Sequence, residues 1–344
     1  MSNDMNRRDF LKGAAATGAV FLAADILGGT GFADGTIRIP EVEKITVTII
    51  IENYAETTRP SYKIGDRYSG YLYAQPGLAS HIETVVDGRS HSLLFDFGPG
   101  FSGVSSNMDA LNIQPENLEA LALSHGHQDH VGGLLGLLNS RKEKTLKGIP
   151  FYVGDEAFAE RGVGKGPDDV HVNHRPPKKE EIEALGFVKI VEIKDPTPIC
   201  PGACLTGRIE RVTDYERVDP RRWVRRGDHF APENFIGEQS VVLNLKGKGL
   251  VVFTGCAHVG VVNTVRHAQK MSGVTKVHAI MGGFHLTGAK EEVIRRTVAD
   301  IKAMTPDYIM PMHCTGFEAL TLFAKEMPDQ FILNTVGTRY TLSS

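Results

Sequence analysis

The stretch Ser124-His125-Gly126-His127-Gln128-Asp129-His130 brings three imidazoles and a carboxylate into one short segment. Imidazole and carboxylate groups are the ligands that zinc and similar divalent cations prefer. Two histidines separated by one residue point to the same side of an extended segment, and Asp129 and His130 follow after a bend. Because burying such groups without a metal or a counter-charge costs free energy, the stretch predicts a metal site. Its two pairs of side chains suit two metal ions.

Hydrophobic patterns on either side place this stretch on a strand-to-helix turn. The run at 118–123 predicts a strand, and the run at 131–138 predicts a helix that begins just after the histidines. Other patterns predict strands at 45–51, 81–86, 91–96, 150–153, 188–193, 240–245, 250–254, 277–281 and 308–312, and helices at 107–111, 261–271 and 291–304. The segment 162–183 is rich in glycine, proline and lysine, so we expect a surface loop there. Since strand pairs and helices recur in both halves, the predicted fold is an α/β sandwich.

The motif His-x-His-x-Asp-His after a strand resembles the signature of the metallo-β-lactamase superfamily, and the resemblance extends from about residue 45 to the C-terminus. It implies an αββα sandwich, in which two mixed β-sheets are flanked by helices. It also implies that Asp96, at the carboxyl end of a predicted strand, supports the site without binding metal, and that His313 is the final ligand. A narrower similarity, to the branch that includes the dihydropterin-ribofuranosylaminobenzene phosphate synthases, is carried by the segments 77–83, 254–260, 282–286 and 313–316.

Two departures from the commoner superfamily pattern concern the ligands. The segment 200–208 has no histidine where many members carry the third one, so His258 is the natural substitute. Cys256 stands where other members have a bridging aspartate. We expect Cys256 to pack beside the site, and a thiolate that binds or bridges the metals is the alternative.

The expected cofactors are two divalent metal ions, zinc first, with iron and manganese as alternatives. The expected ligands are His125, His127 and His258 for one metal and Asp129, His130 and His313 for the other. A metal lowers the pKa of its bound water to about 7, so a metal-bound hydroxide can attack an ester-type substrate near neutral pH. Asp129 is expected to orient the hydroxide. His285 is expected to donate a proton and anchor the substrate, or alternatively to act as a seventh ligand.

The region between Arg208 and Arg226 bears on the substrate, because it contains seven arginines and the only tryptophan. Arginine binds phosphate or carboxylate in a bidentate manner, and tryptophan stacks on rings. We therefore predict that Arg222, Trp223 and Arg225 bind an anionic small molecule; the alternative is a solvated loop whose arginines pair with nearby acidic residues. The net charge of −3 gives no general attraction to nucleic acid, and we expect no nucleic-acid partner.

The first residues read as a targeting segment. The run Asn6-Arg7-Arg8-Asp9-Phe10-Leu11-Lys12 resembles a twin-arginine export signal, and the small apolar run 13–24 is too short to span a membrane. We predict a signal peptide over residues 1–33, followed by a single domain over 34–344. The expected partner during export is the twin-arginine translocase, which carries folded proteins. The expected location is periplasmic or otherwise extracytoplasmic, without stable membrane insertion.

The predicted function is a metal-dependent hydrolase. The first alternative is a transferase of the synthase type named above, although a cytoplasmic biosynthetic step fits poorly with an export signal. The second is a protein that binds metal without catalysis, or a di-iron redox protein on the same ligands. Fold alone does not choose among them.

Overall fold

The structure is a computed structural model, and it describes residues 36–56, 58, 63–145 and 147–344. The predicted signal peptide, residues 1–33, lies outside the described residues. The strands are β1 (Glu41–Val42), β2 (Lys44–Ile51), β3 (Gly65–Arg67), β4 (Ala79–Val86), β5 (Arg89–Phe97), β6 (Ala120–Ala122), β7 (Ile149–Val153), β8 (Arg161–Gly164), β9 (Val170–His174), β10 (Val188–Glu192), β11 (Thr197–Cys200), β12 (Ala203–Leu205), β13 (Arg222–Arg226), β14 (His229–Pro232), β15 (Val241–Leu245), β16 (Gly249–Thr254), β17 (Val277–Gly283), β18 (Tyr308–Met312) and β19 (Thr338–Ser343).

The helices separate these strands along the chain. They are α1 (Phe101–Ala110), α2 (Gln128–Val131), α3 (Leu134–Arg141), α4 (Lys179–Glu183), α5 (Val261–Ser272), α6 (Glu291–Ala303) and α7 (Phe317–Glu326), with 3-10 turns at Pro115–Asn117 and His313–Thr315. In the part of the chain that the structure describes, every helix is too short or too polar to cross a membrane.

Two mixed β-sheets face each other. The first has the strand order β11-β12-β15-β16-β17-β18, with β1 beside β15, and the second has the order β10-β7-β6-β5-β4-β2-β19-β3. Their inner faces form a common core, in which the ring of Phe95 meets the edge of Phe253 at 5.7 Å between centroids. Burial of such apolar area is the main driving force of folding.

Helices cover the outer face of each sheet. Apolar residues of α1, α2 and α3 pack on the second sheet, and those of α5, α6 and α7 pack on the first. The fold is therefore the predicted αββα sandwich of two mixed sheets. A third, antiparallel sheet with the order β14-β13-β8-β9 was not predicted.

The third sheet corrects the expectation of a surface loop at 162–183. That segment contains most of β8, all of β9 and α4. The glycines of β8 weaken its strand pattern, and the strand forms because it pairs with β13, which lies more than fifty residues away in sequence. Local patterns do not show such pairing.

The helix predicted at 131–138 is interrupted at Gly132 and Gly133, which separate α2 from α3. A Cβ atom on Gly132 would lie 2.2 Å from the carbonyl oxygen of Pro99, and one on Gly133 would lie 2.2 Å from that of Phe97. The two glycines thus let the turn after the metal motif pack directly on the end of β5.

The carboxyl ends of several strands from both sheets meet at one edge of the sandwich. Strands β5 and β6 run parallel in the second sheet, and β16, β17 and β18 run parallel in the first. The segments that follow these strands carry the predicted ligands. Sites in α/β proteins usually lie at this edge, and here it is formed by two sheets at once.

Candidate metal centre

The metal motif lies on the turn between β6 and α2. His125, His127 and His130 are all nearly inaccessible to solvent, with exposed fractions of 3%, 4% and 0%. Gly126 between the first two has no room for a side chain, because a Cβ atom there would lie 2.0 Å from the carbonyl oxygen of Ala157. The close packing of this turn fixes the direction of the histidines.

One cluster of ligand atoms combines His125, His127 and His258, with one atom from each within 4.8 Å of the others. Nε2 of His258 lies 3.2 Å from Nε2 of His125. His258 follows β16 through Ala257, whose φ of 59° is unusual for a residue with a side chain. These three are the residues predicted to hold the first metal.

A buried carboxylate fixes the turn that carries His258. Glu238 accepts hydrogen bonds from the backbone N–H groups of His258, at 2.9 Å, and Val259, at 2.8 Å. Burial raises the pKa of Glu238 to about 7, against the lowering effect of these two hydrogen bonds. Glu238 was not among the predicted site residues, because nothing in its sequence neighbourhood indicates a role at a turn twenty residues away.

A second cluster combines Asp129, His130, Cys256 and His313. Nε2 of His313 lies 3.2 Å from both Nε2 of His130 and Oδ2 of Asp129. The Sγ atom of Cys256 lies 3.1 Å from Nε2 of His130. The structure therefore brings together the three residues predicted for the second metal and adds the cysteine to them.

Asp96 lies directly behind His130. Its Oδ2 is 2.6 Å from Nδ1 of His130, and its Oδ1 accepts a hydrogen bond of 2.7 Å from the backbone N–H of Ser124. The hydroxyl of Ser124 donates to the same carboxylate at 2.8 Å. Such a contact holds an imidazole in one tautomer and one orientation, with Nε2 directed into the cluster.

Glu52 and Asn53 hold His313 in position in a similar way. Neither residue was among the predicted site residues. The backbone N–H of His313 donates to Oε2 of Glu52 at 2.9 Å, and the amide oxygen of Asn53 lies 3.1 Å from Nδ1 of His313. Both residues follow β2 at the edge where the other strands end. A signal was present in the sequence, since two polar residues directly follow a strongly β-branched run.

The ionisable groups of the second cluster strongly affect one another's pKa values. Burial alone would raise the pKa of Asp129, but His130 and His313 hold it well below its ordinary value. Burial would likewise lower the pKa of His130, whereas Asp96 and Asp129 together raise it to about 9. In contrast, burial holds the pKa values of His125, His127 and His258 well below the ordinary range, so these imidazoles are neutral and suited to bind a metal.

The residues fit two divalent cations. Oδ1 of Asp129 is buried and has no hydrogen-bond partner among the described residues, which is costly unless another group satisfies it. In two places the ring nitrogen of one histidine faces the ring nitrogen of another. At most one nitrogen of such a facing pair can donate a hydrogen bond when the imidazoles are neutral. A cation at each cluster would satisfy these atoms, and imidazole with carboxylate is a suitable set of ligands for zinc.

His285 lies on the turn after β17, where it was predicted, and is exposed to solvent. Its ring centroid is 4.0 Å from that of His258, and it forms a group of potential ligands with Cys256 and His258. An exposed ring in this position is accessible to a substrate and also close enough to bind a metal. Both interpretations of His285 stay predictions.

His174 is a further histidine at the site that the sequence did not indicate. It ends β9, and its ring stacks on that of His127 with centroids 4.0 Å apart. Its Nδ1 accepts a hydrogen bond of 3.2 Å from the backbone N–H of Gln128. A single histidine in a segment predicted as a loop carries no spacing signal, so only the third sheet reveals its position.

The arginine-rich segment forms β13 of the third sheet. Side chains alternate along a strand, so Trp223 and Arg225 point to the face opposite Arg222. The indole N–H of Trp223 donates to the carbonyl oxygen of Gly164 at 3.0 Å, and Nε of Arg225 donates to Oε2 of Glu160 at 2.8 Å. The structure thus divides the predicted substrate-binding group between the two faces of the strand.

Arg222 is the member of that group whose charge reaches the histidines. Together with burial, which is the larger cause, it lowers the pKa values of His258 and His174. Arg161 acts in the same direction on His125 and His127. Two arginine side chains of the third sheet therefore lie near enough to the histidines of the metal centre to influence their pKa values.

The fold and these clusters define a metalloenzyme of the β-lactamase type, and comparisons with known proteins agree. The model of the metallo-beta-lactamase superfamily matches residues 84–212. A synthase of Methanocaldococcus jannaschii, 7,8-dihydropterin-6-methyl-4-(beta-D-ribofuranosyl)-aminobenzene-5'-phosphate synthase, is 30% identical over 78% of this chain and 92% of its own length. The chain belongs to the metallo-β-lactamase superfamily, in the branch that includes this synthase, and it is an enzyme.

Two further proteins are similar to this chain: a second relative from the same organism, and a protein of known structure. An uncharacterised protein of Methanocaldococcus jannaschii is 28% identical over 77% of this chain and 93% of its own length. The solved structure of Tm1679, a metal-dependent hydrolase of the beta-lactamase superfamily, superimposes with a TM-score of 0.69, covering 87% of this chain and all of the other at 22% identity. At that identity the likeness shows the fold.

The prediction of a twin-arginine signal is also confirmed. The model of the TAT (twin-arginine translocation) pathway signal sequence matches residues 4–24. The matched segment contains the paired arginines Arg7 and Arg8 and all of the small apolar run behind them, residues 13–24. The chain thus carries a signal for export across a membrane.

Proposed function

We propose that this enzyme is a hydrolase that uses two zinc ions to cleave an ester-type bond in an anionic small molecule. The observation that supports this most directly is the pair of ligand clusters at the shared edge of the two sheets. The cluster of His125, His127 and His258 would hold one metal, and the other metal would be held by Asp129, His130 and His313. Bound zinc would supply Lewis acidity and a water of lowered pKa.

The protein's own residues would orient the reacting groups. One carboxylate oxygen of Asp129 would bind the metal, and the other would accept a hydrogen bond from the nucleophile. His285 is exposed beside His258 and is proposed to donate a proton to the leaving group or to anchor the substrate. Asp96 would keep Nε2 of His130 directed at the metal by occupying Nδ1.

An anionic substrate is supported by the charge of the third sheet. Arg222 is half-buried and close enough to affect His258 and His174, so its guanidinium would be near enough to the metal centre to bind a phosphate or carboxylate there. The indole of Trp223 contacts β8, and the guanidinium of Arg225 pairs with Glu160 just before β8. We therefore assign the largest contribution of the three to Arg222.

A transferase is the second candidate, because the relative that shares 30% identity over 92% of its length is a synthase. The same clusters could activate an acceptor other than water. The export signal weighs against the relative's own reaction, because a biosynthetic intermediate is made and used in the cytoplasm and an exported enzyme would not meet it. We propose hydrolysis because an exported enzyme would meet water everywhere, whereas an organic acceptor made in the cytoplasm would not reach it.

The location follows from the signal. We propose that residues 1–33 are removed after export and that residues 34–344 act as one domain in the periplasm. The twin-arginine translocase would be the partner in that step. Because the translocase moves folded proteins, the metals could be loaded before export.

The test is metal analysis of the purified mature protein combined with a panel of phosphate esters, sulfate esters and lactones. We expect about two metal ions per chain, and hydrolysis that incorporates isotopically labelled water into the product. Loss of activity after treatment with a chelator and recovery with zinc would complete the evidence. Fewer than one metal per chain, or turnover only when a second organic substrate is present, would contradict the proposal.

Two arginine variants test the substrate class with matched chemistry. Arg222→Ala should lower kcat/KM for anionic substrates about 10-fold or more, while Arg225→Ala should change it less. Both variants remove one arginine from the same strand. Equal activity of Arg222→Ala and the unmodified enzyme on every anionic substrate found would exclude this role.

A further inference from the structure

Cys256 belongs to the second metal cluster and also neighbours one residue of the first, His258. It lies on the segment between β16 and α5, and only 2% of its surface is exposed. Its Sγ atom belongs to the cluster with Asp129, His130 and His313, and also to a group with His258 and His285. His258 is in turn a member of the first cluster. The sulfur atom therefore lies within the second cluster and close to one expected ligand of the first.

The surroundings of this sulfur atom are polar. Nε2 of His130 lies 3.1 Å from Sγ, closer than a sulfur atom in an apolar contact would be. A neutral thiol is a weak donor and a weak acceptor, so it satisfies few of the nitrogen and oxygen atoms that converge here. A thiolate that binds a cation on each side would satisfy them better, and a coordinating thiol is deprotonated outright.

We propose that Cys256 is a metal ligand whose thiolate bridges the two metal positions. The inference rests on the proposed function, since it requires that the clusters bind metal. On binding, the S–H bond breaks heterolytically, its electron pair stays on sulfur, and the proton leaves to solvent. No atom is oxidised or reduced. Of the two roles that the sequence leaves open for Cys256, packing beside the site and metal binding, this proposal adopts the second.

The neighbouring cysteine provides a contrast. Cys314 follows His313, and its Sγ lies 3.6 Å from the backbone carbonyl oxygen of Cys256. A Cβ atom on Gly283 would lie 2.8 Å from that Sγ, so Cys314 packs closely against β17, and its thiol also contacts the side chains of Cys256 and His285. Among the described residues it belongs to none of the ligand groups. Cys314 is thus a thiol of similar location that should not bind metal.

A sulfur bridge has a consequence for the choice of metal. Soft thiolate ligands favour zinc and disfavour harder cations such as manganese, whereas carboxylate oxygen suits the harder ones. The centre should therefore prefer zinc or cobalt over manganese. Replacing the cysteine by aspartate, which restores the oxygen ligand common in the superfamily, should weaken that preference.

Titration of the metal-free mature protein with cobalt(II) tests the inference, because cobalt bound to thiolate gives a near-ultraviolet charge-transfer absorption that oxygen and nitrogen ligands do not give. We expect this absorption in the unmodified protein and in Cys314→Ser, and its loss in Cys256→Ser. Cys256→Asp should still bind two cobalt ions, without the absorption, and should bind manganese at least about 10-fold more tightly relative to zinc than the unmodified protein does.

The outcomes separate this inference from the proposed function. An unmodified protein that binds two cobalt ions without the absorption overturns the sulfur bridge alone. So does an absorption that disappears in Cys314→Ser and persists in Cys256→Ser. An unmodified protein that binds no cobalt overturns the proposed function as well. The absorption of the unmodified protein with cobalt is measured without any variant, so the test remains decisive even if Cys256→Ser does not fold.

Discussion

Oδ2 of Asp96 and Nδ1 of His130 lie 2.6 Å apart, and neither side chain has any exposed surface. The pair links the end of β5 to the start of α2. Because Nδ1 is engaged in this contact, Nε2 of His130 is left to face Cys256 and His313. The orientation of one ligand candidate is thus fixed by a residue that does not itself reach the centre of the cluster.

Replacing Asp96 by asparagine should weaken metal binding about 10- to 100-fold, because the loss of a partner behind a ligand histidine usually has this effect. Competition with a chelator measures the affinity. Asp307→Asn is a matched control, since Oδ2 of Asp307 lies 2.7 Å from Nδ1 of His278 near the opposite end of β17. Equal affinities of Asp96→Asn and Asp307→Asn would show that the contact does not support the centre.

Replacing Gly126 by alanine should distort the metal motif, because the added Cβ would lie 2.0 Å from the carbonyl oxygen of Ala157. We expect a loss of about 1–3 kcal/mol in the free energy of unfolding and weaker metal binding. Chemical denaturation and metal analysis measure the two effects. Gly100→Ala is the control, because a Cβ there meets nothing within 4 Å in the described part of the chain; an equal effect of both variants would argue against the close approach.

Replacing Glu233 by alanine should destabilise the third sheet. Oε2 of Glu233 lies 2.7 Å from Nε of Arg161, and both side chains are almost entirely buried. Removing one partner leaves a buried charge, which typically costs about 3–5 kcal/mol in the free energy of unfolding. Glu291→Ala, which breaks the exposed pair with Arg295, should cost less than about 1 kcal/mol. Denaturation curves with similar midpoints for the two variants would contradict this expectation.

Acid should destabilise the fold partly through His81 in β4. Burial, and then the charge of Arg339, lower the pKa of His81 from 6.5 to about 4. Between these values the unfolded chain binds a proton that the folded chain does not bind, so the free energy of unfolding falls as the pH falls from 6.5 towards 4. This contribution amounts to roughly 3 kcal/mol at pH 4.

The variant His81→Gln should reduce that dependence on pH. Its free energy of unfolding, measured by denaturation from pH 7 to pH 4, should fall less steeply than that of the unmodified protein. Both proteins are measured with a chelator, so that proton uptake by the metal ligands is the same in the two curves. Parallel curves would mean that His81 does not contribute.

The sequence by itself determined the fold class and the main candidates for metal ligands. The strands before Asp96, Ser124 and His313 are apolar runs, and a buried apolar run predicts a strand without knowledge of its partners. Four of the candidate ligands lie within residues 125–130, so their proximity is imposed by the chain itself. The two mixed sheets with helices on both outer faces followed from the pattern and from the resemblance, and the structure confirmed them.

Only the tertiary structure decided how these residues are grouped and supported. Cys256 meets His130 across 126 positions of sequence, and Glu52 reaches His313 across 261. The third sheet, which brings His174 and Arg222 to the centre, forms by pairing strands whose own patterns are weak. Such contacts depend on how two sheets pack and how their connecting turns bend. Local propensity contains no information on either, because both are set by the burial of the whole core.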